Sequence, residues 1–140
     1  MQLVSNEVAP RVGSILKRRL LQDGIHLNEN DPPYRLTIHQ EQIQRNILSI
    51  SSGSSSRQYQ LLYQLYFSFE KIKGPILLDH TSVLASRFVT INNDRILGSN
   101  DEEEHIIDDM RRDAALQIIQ RINALPLSSN QTNQNKKGHL

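Results

Sequence analysis

Residues Asp101 to Glu104 form an unbroken run of acids that leads directly into His105, within the stretch TINNDRILGSNDEEEHIIDDM from Thr90 to Met110. On a helix, Glu102 and His105 would share one face, and a carboxylate with an imidazole at that spacing is half of a carboxylate-type metal centre. A complete centre needs about three or four converging protein ligands. The other acid at that offset from a histidine, Asp23 before His26, lies across Gly24, where a helix should stop. The chain has no cysteine, which removes thiolate ligands, disulfides and cysteine nucleophiles together.

A plainer chemistry accounts for every residue of the run. Ser99 with Glu102, or Asn100 with Glu103, has the spacing of an N-cap and capping box, worth about 1 kcal/mol. Acids in a first turn are favoured by the helix dipole by roughly 0.3 to 1 kcal/mol each, less their mutual repulsion. His105 would then sit on the solvated face, opposite Ile107 and Met110. The run is read as the start of a helix. The five histidines, His26, His39, His80, His105 and His139, show no ligand or catalytic spacing. No G-x-S-x-G, Walker or G-x-G-x-x-G string occurs. The residues propose no enzyme, no metal and no cofactor.

The elements that must position these side chains follow from periodicity. At 140 residues the chain suits one domain with a real core, and its mean hydropathy of -0.50 suits a globular chain with polar material attached. No run approaches the roughly 18 apolar residues of a membrane-spanning helix. Asn6 to Gln22 reads as a helix, with Pro10 in its first turn, Gly24 as its stop, and Val8, Val12, Ile15, Leu16 and Leu20 on one face. Tyr34, Leu36 and Ile38 alternate in one phase and Ile43 and Ile47 in the other, which predicts one long strand with a bulge. After a small polar tip, Ser51 to Arg57, the clearest strand carries Tyr59, Leu61, Tyr63, Leu65, Phe67 and Phe69 on one face and Gln58, Gln60, Gln64, Ser68 and Glu70 on the other.

Lys73-Gly74-Pro75 turns the chain into a third strand, Thr81 to Ile91. From about Asp101 to Leu125 the period becomes helical, with Ile107, Met110, Ala114, Ile118, Ile122 and Leu125 as the stripe and Pro126 as the stop. Gln2 to Val4 reads as the end of a further strand. The expected fold is α+β: a two-layer sandwich in which an antiparallel or mixed sheet of three to four strands packs against two helices, in (β)αβββα order. The domain is expected over residues 1–125, with a disordered polar tail over 126–140. Up-and-down strands bring the Ser51–Arg57 tip and the Asn92–Asn100 loop to the same end of the sheet, and Lys71 and Lys73 to the other.

The net charge is +1, distributed as nine Lys/Arg against six Asp/Glu in residues 1–75 and seven against nine in residues 76–140. That balance excludes a strongly basic nucleic-acid chain and leaves room for a local basic patch. The αβββα order is shared with double-stranded RNA-binding domains, so an RNA-binding module is the alternative reading. Such domains place lysines at the start of the second helix, where this chain has Asp101 to Glu104. The strand aromatics fit a core face better than a base-stacking platform.

Three stretches also carry a family resemblance. SRFVTINNDRILGSNDEEEHIIDDMRRDAALQIIQRI, from Ser86 to Ile122, combines an Arg-aromatic step, an Asn/Asp loop, an acidic helix start and Met-Arg-x-Asp-Ala. SSSRQYQLLYQLYFSF (Ser54 to Phe69) and LKRRLLQDGIHL (Leu16 to Leu27) supply a hairpin and the end of a first helix. Together they resemble the LPS-assembly lipoprotein family LptE. The resemblance implies a non-enzymatic outer-membrane lipoprotein that faces the periplasm, plugs an LptD β-barrel and helps pass lipopolysaccharide to the cell surface. It also implies a signal peptide, a lipidated cysteine and most of a first strand ahead of Met1, so membrane association is expected through a lipid anchor upstream of Met1.

Lipopolysaccharide carries phosphates, which arginine meets with a two-pronged, charge-assisted fork. The candidate lipopolysaccharide-binding residues are Arg57 at the hairpin tip, Arg95 in the loop before the second helix, and Arg45 further down the neighbouring strand. Related proteins are expected to be basic in those stretches, where this chain places Ser54, Ser55, Ser56, Ser99 and Asn100. Leu116 and Ile119 fall off the buried stripe of the last helix, on a face that could meet a partner such as a barrel wall.

Overall fold

Alternation along β3 (Ser56–Lys71) organises the molecule: Tyr59, Leu61, Tyr63, Leu65, Phe67 and Phe69 are all buried, none more than 7% exposed. Successive strand residues point to opposite faces, so this set lines one side of the sheet. A computed structural model describes residues 1–5, 9–27, 29–50, 56–92 and 99–126. Around β3 lie β1 (Gln2–Ser5), β2 (Tyr34–Ile50) and β4 (Ile76–Asn92), in the order β1-β2-β3-β4. Helices α1 (Pro10–Gln22) and α2 (Ser99–Asn123) complete the β-α-β-β-β-α sequence. β1 runs parallel to β2 because α1 carries the chain back between them, while the hairpins make the other pairs antiparallel. The result is a two-layer α+β sandwich on a mixed sheet.

The phase change in β2 is a true bulge. Leu36 and Ile38 are buried on the even phase, the register slips between Ile38 and Gln40, and Ile43 returns half-buried on the odd phase. The extra residue is His39, and a second slip lies between Ile47 and Ser49. β4 begins at Ile76, earlier than the expected Thr81, because a matching irregularity at Asp79–His80 lets the strand resume pairing with β3 on either side. The hairpin and the β4–α2 connection do share one end of the sheet, since Ser56 pairs with Asn92. Lys71 pairs with Tyr34 at the other end.

In α1, Val12, Leu16 and Leu20 are buried, Pro10 opens the helix, and Gly24 at φ +83° follows its end. A Cβ on Gly13 would stand 2.1 Å from Ser5 Oγ, so only glycine lets α1 pass β1 this closely. The expected Asn6 start and Val8 fall outside the described residues. In α2 the stripe Ile107, Met110, Ala114 and Ile118 is buried as expected, but so are Ala115 and Ile119. The helix is covered twice, by the sheet and by α1, which widens its apolar arc. Ile119, expected to face a partner, is 4% exposed and belongs to the core; Leu116 is half-buried. The polar tail expected over 126–140 lies outside the described residues beyond Pro126.

A charged cluster joins all these layers. Arg111 of α2, only 8% exposed, forks onto Glu41 of β2, with Nε donating to Oε2 at 2.9 Å and Nη2 to Oε1 at 3.2 Å. Its Nη1 donates to Asp108 at 2.7 Å, and Asp108 also accepts from Arg11 of α1 at 3.1 Å. Tyr63 of β3 donates its hydroxyl to Glu41 at 2.5 Å. Burial and then that bond push the Tyr63 phenol far above its ordinary range. Burial alone would lower the Arg111 pKa, but its bonds to Glu41 and Asp108 outweigh it and hold the guanidinium charged.

Removing one member of such a cluster leaves an uncompensated buried charge, whereas replacing the set with apolar groups does not. Arg111→Met is therefore expected to destabilise the fold by about 3 to 5 kcal/mol. Adding Glu41→Leu and Tyr63→Phe should recover most of that loss in urea unfolding. A triple variant as unstable as the single one would show that Arg111 acts through packing alone.

Candidate functional site

The end of the sheet that carries the hairpin and the β4–α2 connection holds the expected cation site, and the structure divides its three arginines. Arg45, opposite Leu61 on β3, is 53% exposed in its side chain but already committed. Its Nε donates to Glu103 Oε2 at 3.1 Å and its Nη2 donates to Oε1, a two-pronged pair. Tyr59 donates its hydroxyl to the same carboxylate at 2.6 Å. The backbone of Arg57 lies in β3 between Ile50 and Ile91, which fixes its place beside the tip. Arg95 lies outside the described residues, as does the tip over 51–55.

Glu103 thus has a role that local spacing did not show. α2 begins at Ser99, so Ser99 and Asn100 lie within the helix rather than ahead of it. Glu103 then turns toward the sheet and fastens the first turns of α2 to β2 and β3. Hydrogen bonds from Arg45 hold its carboxyl below the usual carboxylate range. Burial, with Glu103 beside it, pushes the Tyr59 phenol up to about 12. Glu102 and His105 are both exposed on the outer side of α2, as expected of a helix start. Among the described residues no group of three His, Cys, Asp or Glu side chains converges as a metal site would require.

Two features escaped sequence reading. His39 and His80, the residues at the two strand irregularities, meet across β3 with ring centroids 4.6 Å apart. Between them Ser68 Oγ lies 2.7 Å from His39 Nε2 and accepts the His80 backbone N–H at 2.9 Å. His80 adopts φ +47°, an uncommon conformation for a residue with a Cβ. The serine satisfies both bulges, and its own burial at 8% exposure leaves little access for a substrate. Burial, then the neighbouring His80, lower the His39 pKa. The second feature is a groove of about 260 Å³ between the helices, floored by Ile15 and Ala115 and rimmed by Arg18, Arg19, Gln22 and Arg112. Arg19 reaches Asp23 at 3.4 Å, whereas Arg18 and Arg112 make no ion pair among the described residues.

The pH dependence of stability follows from these groups. An unfolded histidine binds a proton near pH 6.5, which folded His39 resists, so stability falls as pH drops through about 6.5. Glu103 and Asp108 are held low by arginines. Their contribution is full above about pH 4.5 and is lost as pH falls through their folded values. Thermal unfolding should therefore show two descending steps on acidification. His39→Gln should abolish the upper step and Glu103→Gln should shrink the lower one. A single step unaffected by His39→Gln would contradict the assignment.

Comparison with known proteins places this geometry. The family model for lipopolysaccharide-assembly LptE matches residues 2–122. No curated protein matches the chain. Among solved structures, a minor lipoprotein from Acinetobacter baumannii aligns with a TM-score of 0.71 at 20% identity, over 88% of this chain and 89% of that one. Rare lipoprotein B from Shewanella oneidensis aligns with a TM-score of 0.73 at 18% identity, over 96% and 99%. Lipoprotein B from Nitrosomonas europaea aligns with a TM-score of 0.70 at 19% identity, over 91% and 84%. At these identities the structural likeness speaks for the shared fold. With the model matching nearly the whole described domain, the chain belongs to the lipopolysaccharide-assembly family LptE.

Proposed function

We propose that this protein is a non-enzymatic component of lipopolysaccharide assembly at the outer membrane. In this reading it is the plug and lipopolysaccharide-binding partner of an LptD-like β-barrel, held at the periplasmic face by a lipid anchor upstream of Met1. Nucleic acid is not among its partners. The observation that carries the reading is the family match over residues 2–122. Two structural facts are compatible with it: the β3 aromatics Tyr59, Tyr63, Phe67 and Phe69 are sealed in the core rather than offered to bases, and an acid of the α2 start is bound to Arg45.

The lipid phosphates are assigned to the hairpin end, with Arg57 and Arg95 as the primary contacts. Arg45 enters by exchange: a phosphate, with its greater charge, competes with Glu103 for the same fork. Charge-assisted contacts contribute about 1.5 to 3 kcal/mol each, and about 1.4 kcal/mol is tenfold in affinity.

Binding of purified protein to lipopolysaccharide, measured at two salt concentrations, should weaken at least about tenfold in the Arg57→Glu/Arg95→Glu variant. Arg45→Glu should weaken it less, and duplex RNA should not bind. If the double variant binds like wild type while Arg18→Glu/Arg112→Glu loses binding, the lipid site belongs in the helix groove and the hairpin assignment fails. Unchanged binding in every variant would leave no arginine site on this surface.

A further inference from the structure

The free edge of β4 carries a sequence that reads nearly the same in both directions. From Ser82 to Thr90 the residues are Ser-Val-Leu-Ala-Ser-Arg-Phe-Val-Thr, and about Ser86 they match as Leu84 with Phe88, Val83 with Val89, and Ser82 with Thr90. Among the described residues β4 is the last strand of the sheet and pairs only with β3. Its register with β3 is regular from Thr81 to Asn92. The carbonyls of Leu84 and Ser86 both accept side-chain donors, from Gln117 at 2.9 Å and from Arg87 at 2.8 Å. In an antiparallel ladder the N–H and C=O of one residue point the same way and alternate along the strand. The phase of Ser82, Leu84, Ser86, Phe88 and Thr90 therefore points away from β3.

We propose that this edge pairs with the β4 edge of a second copy, antiparallel, about a two-fold axis through Ser86. Such an axis sets each Leu84 against the second copy's Phe88. Between Ser82 and Thr90 these are the exposed large apolar residues, at 54% and 64%, and they lie on the face of the sheet that the helices leave open. On the helix side, each Arg87 falls opposite the second copy's Ala85, so the two arginines are diagonal neighbours and never face each other. Arg87 is already neutralised by Asp109 at 3.2 Å and Asp113 at 3.3 Å.

Soluble proteins guard long edges with lysine, proline, inward charges or bulges. Between Thr81 and Asn92 there is no lysine and no proline, and Arg87 is the one charge. The irregularity at Asp79–His80 lies beyond the pairing stretch. The guards present are the side-chain caps on Leu84 and Ser86, which a pairing strand displaces one for one. This inference does not depend on the lipopolysaccharide reading.

Because the chain contains no cysteine, register can be read directly by disulfide trapping of the full chain. Under mild oxidation Ser86→Cys should cross-link to itself rapidly. Ser82→Cys and Thr90→Cys should do so slowly alone and rapidly when mixed, since each faces the other across the axis. Gln58→Cys, exposed on β3, sets the background rate. Sedimentation should show a concentration-dependent dimer that Leu84→Lys dissociates and Gln117→Ala tightens a few-fold, with circular dichroism confirming that each variant is folded. A monomer at every accessible concentration would overturn the proposal, as would Ser86→Cys cross-linking no faster than Gln58→Cys.

Discussion

Everything in this protein is arranged around the apolar face of β3. Six large side chains at alternate positions cannot be left in water, since full burial of each such group contributes about 1.5 to 3 kcal/mol, and a single sheet cannot cover its own face. Two helices are therefore required, and each brings a stripe of matching width: Val12, Leu16 and Leu20 from α1, Ile107, Met110, Ala114 and Ile118 from α2. Where helical cover ends, the same strand phase becomes exposed. Ile47 on β2, in phase with half-buried Ile43, is 66% exposed.

Charge then specifies how the layers sit. The Glu41, Tyr63, Arg111, Asp108 and Arg11 cluster takes a residue from β2, β3, α2 and α1 and leaves no buried side-chain polar atom unpartnered among the described residues. Apolar stripes tolerate sliding by a turn; a bidentate arginine pair does not. The second pair, Arg45 with Glu103, repeats the device at the hairpin end, so that α2 is anchored to the sheet at its start as well as in its middle. We regard these pairs as fixing register more than adding stability, in keeping with the desolvation that buried ions cost.

The division of labour between the two ends of the sheet matters for a lipid-handling role. One end closes with the Lys71–Pro75 turn and a surface contact between Lys73 and Asp31 at 3.9 Å. The other gathers the paired ends of β2, β3 and β4, the start of α2 and the Arg45–Glu103 pair. The fold itself is held at 18 to 20% identity by the lipoproteins it resembles, which is what a constraint based on pattern and volume, rather than on particular residues, permits.

The strand of six alternating residues, the bulge in β2, the Gly24 stop and the helix that opens on acids were all legible in the sequence, because each is set by neighbours within a turn or a few residues. So was the end of the sheet at which the hairpin and the α2 connection meet, since hairpin topology alone decides it. What the chain could not disclose locally depends on residues far apart in number and close in space. Ile119 looked like a surface residue because a stripe was assigned to one packing partner, and α1 supplied a second. Glu103 looked like part of a cap because the residues nearest it invited that reading, and Arg45, 58 positions away, claimed it instead. His39 and His80 had no spacing in common until two bulges brought their rings together across β3. Short-range patterns determined the elements and their order; long-range charge pairing and the two-sided burial of α2 were decided only when the layers closed, since both are properties of contacts that no local window contains.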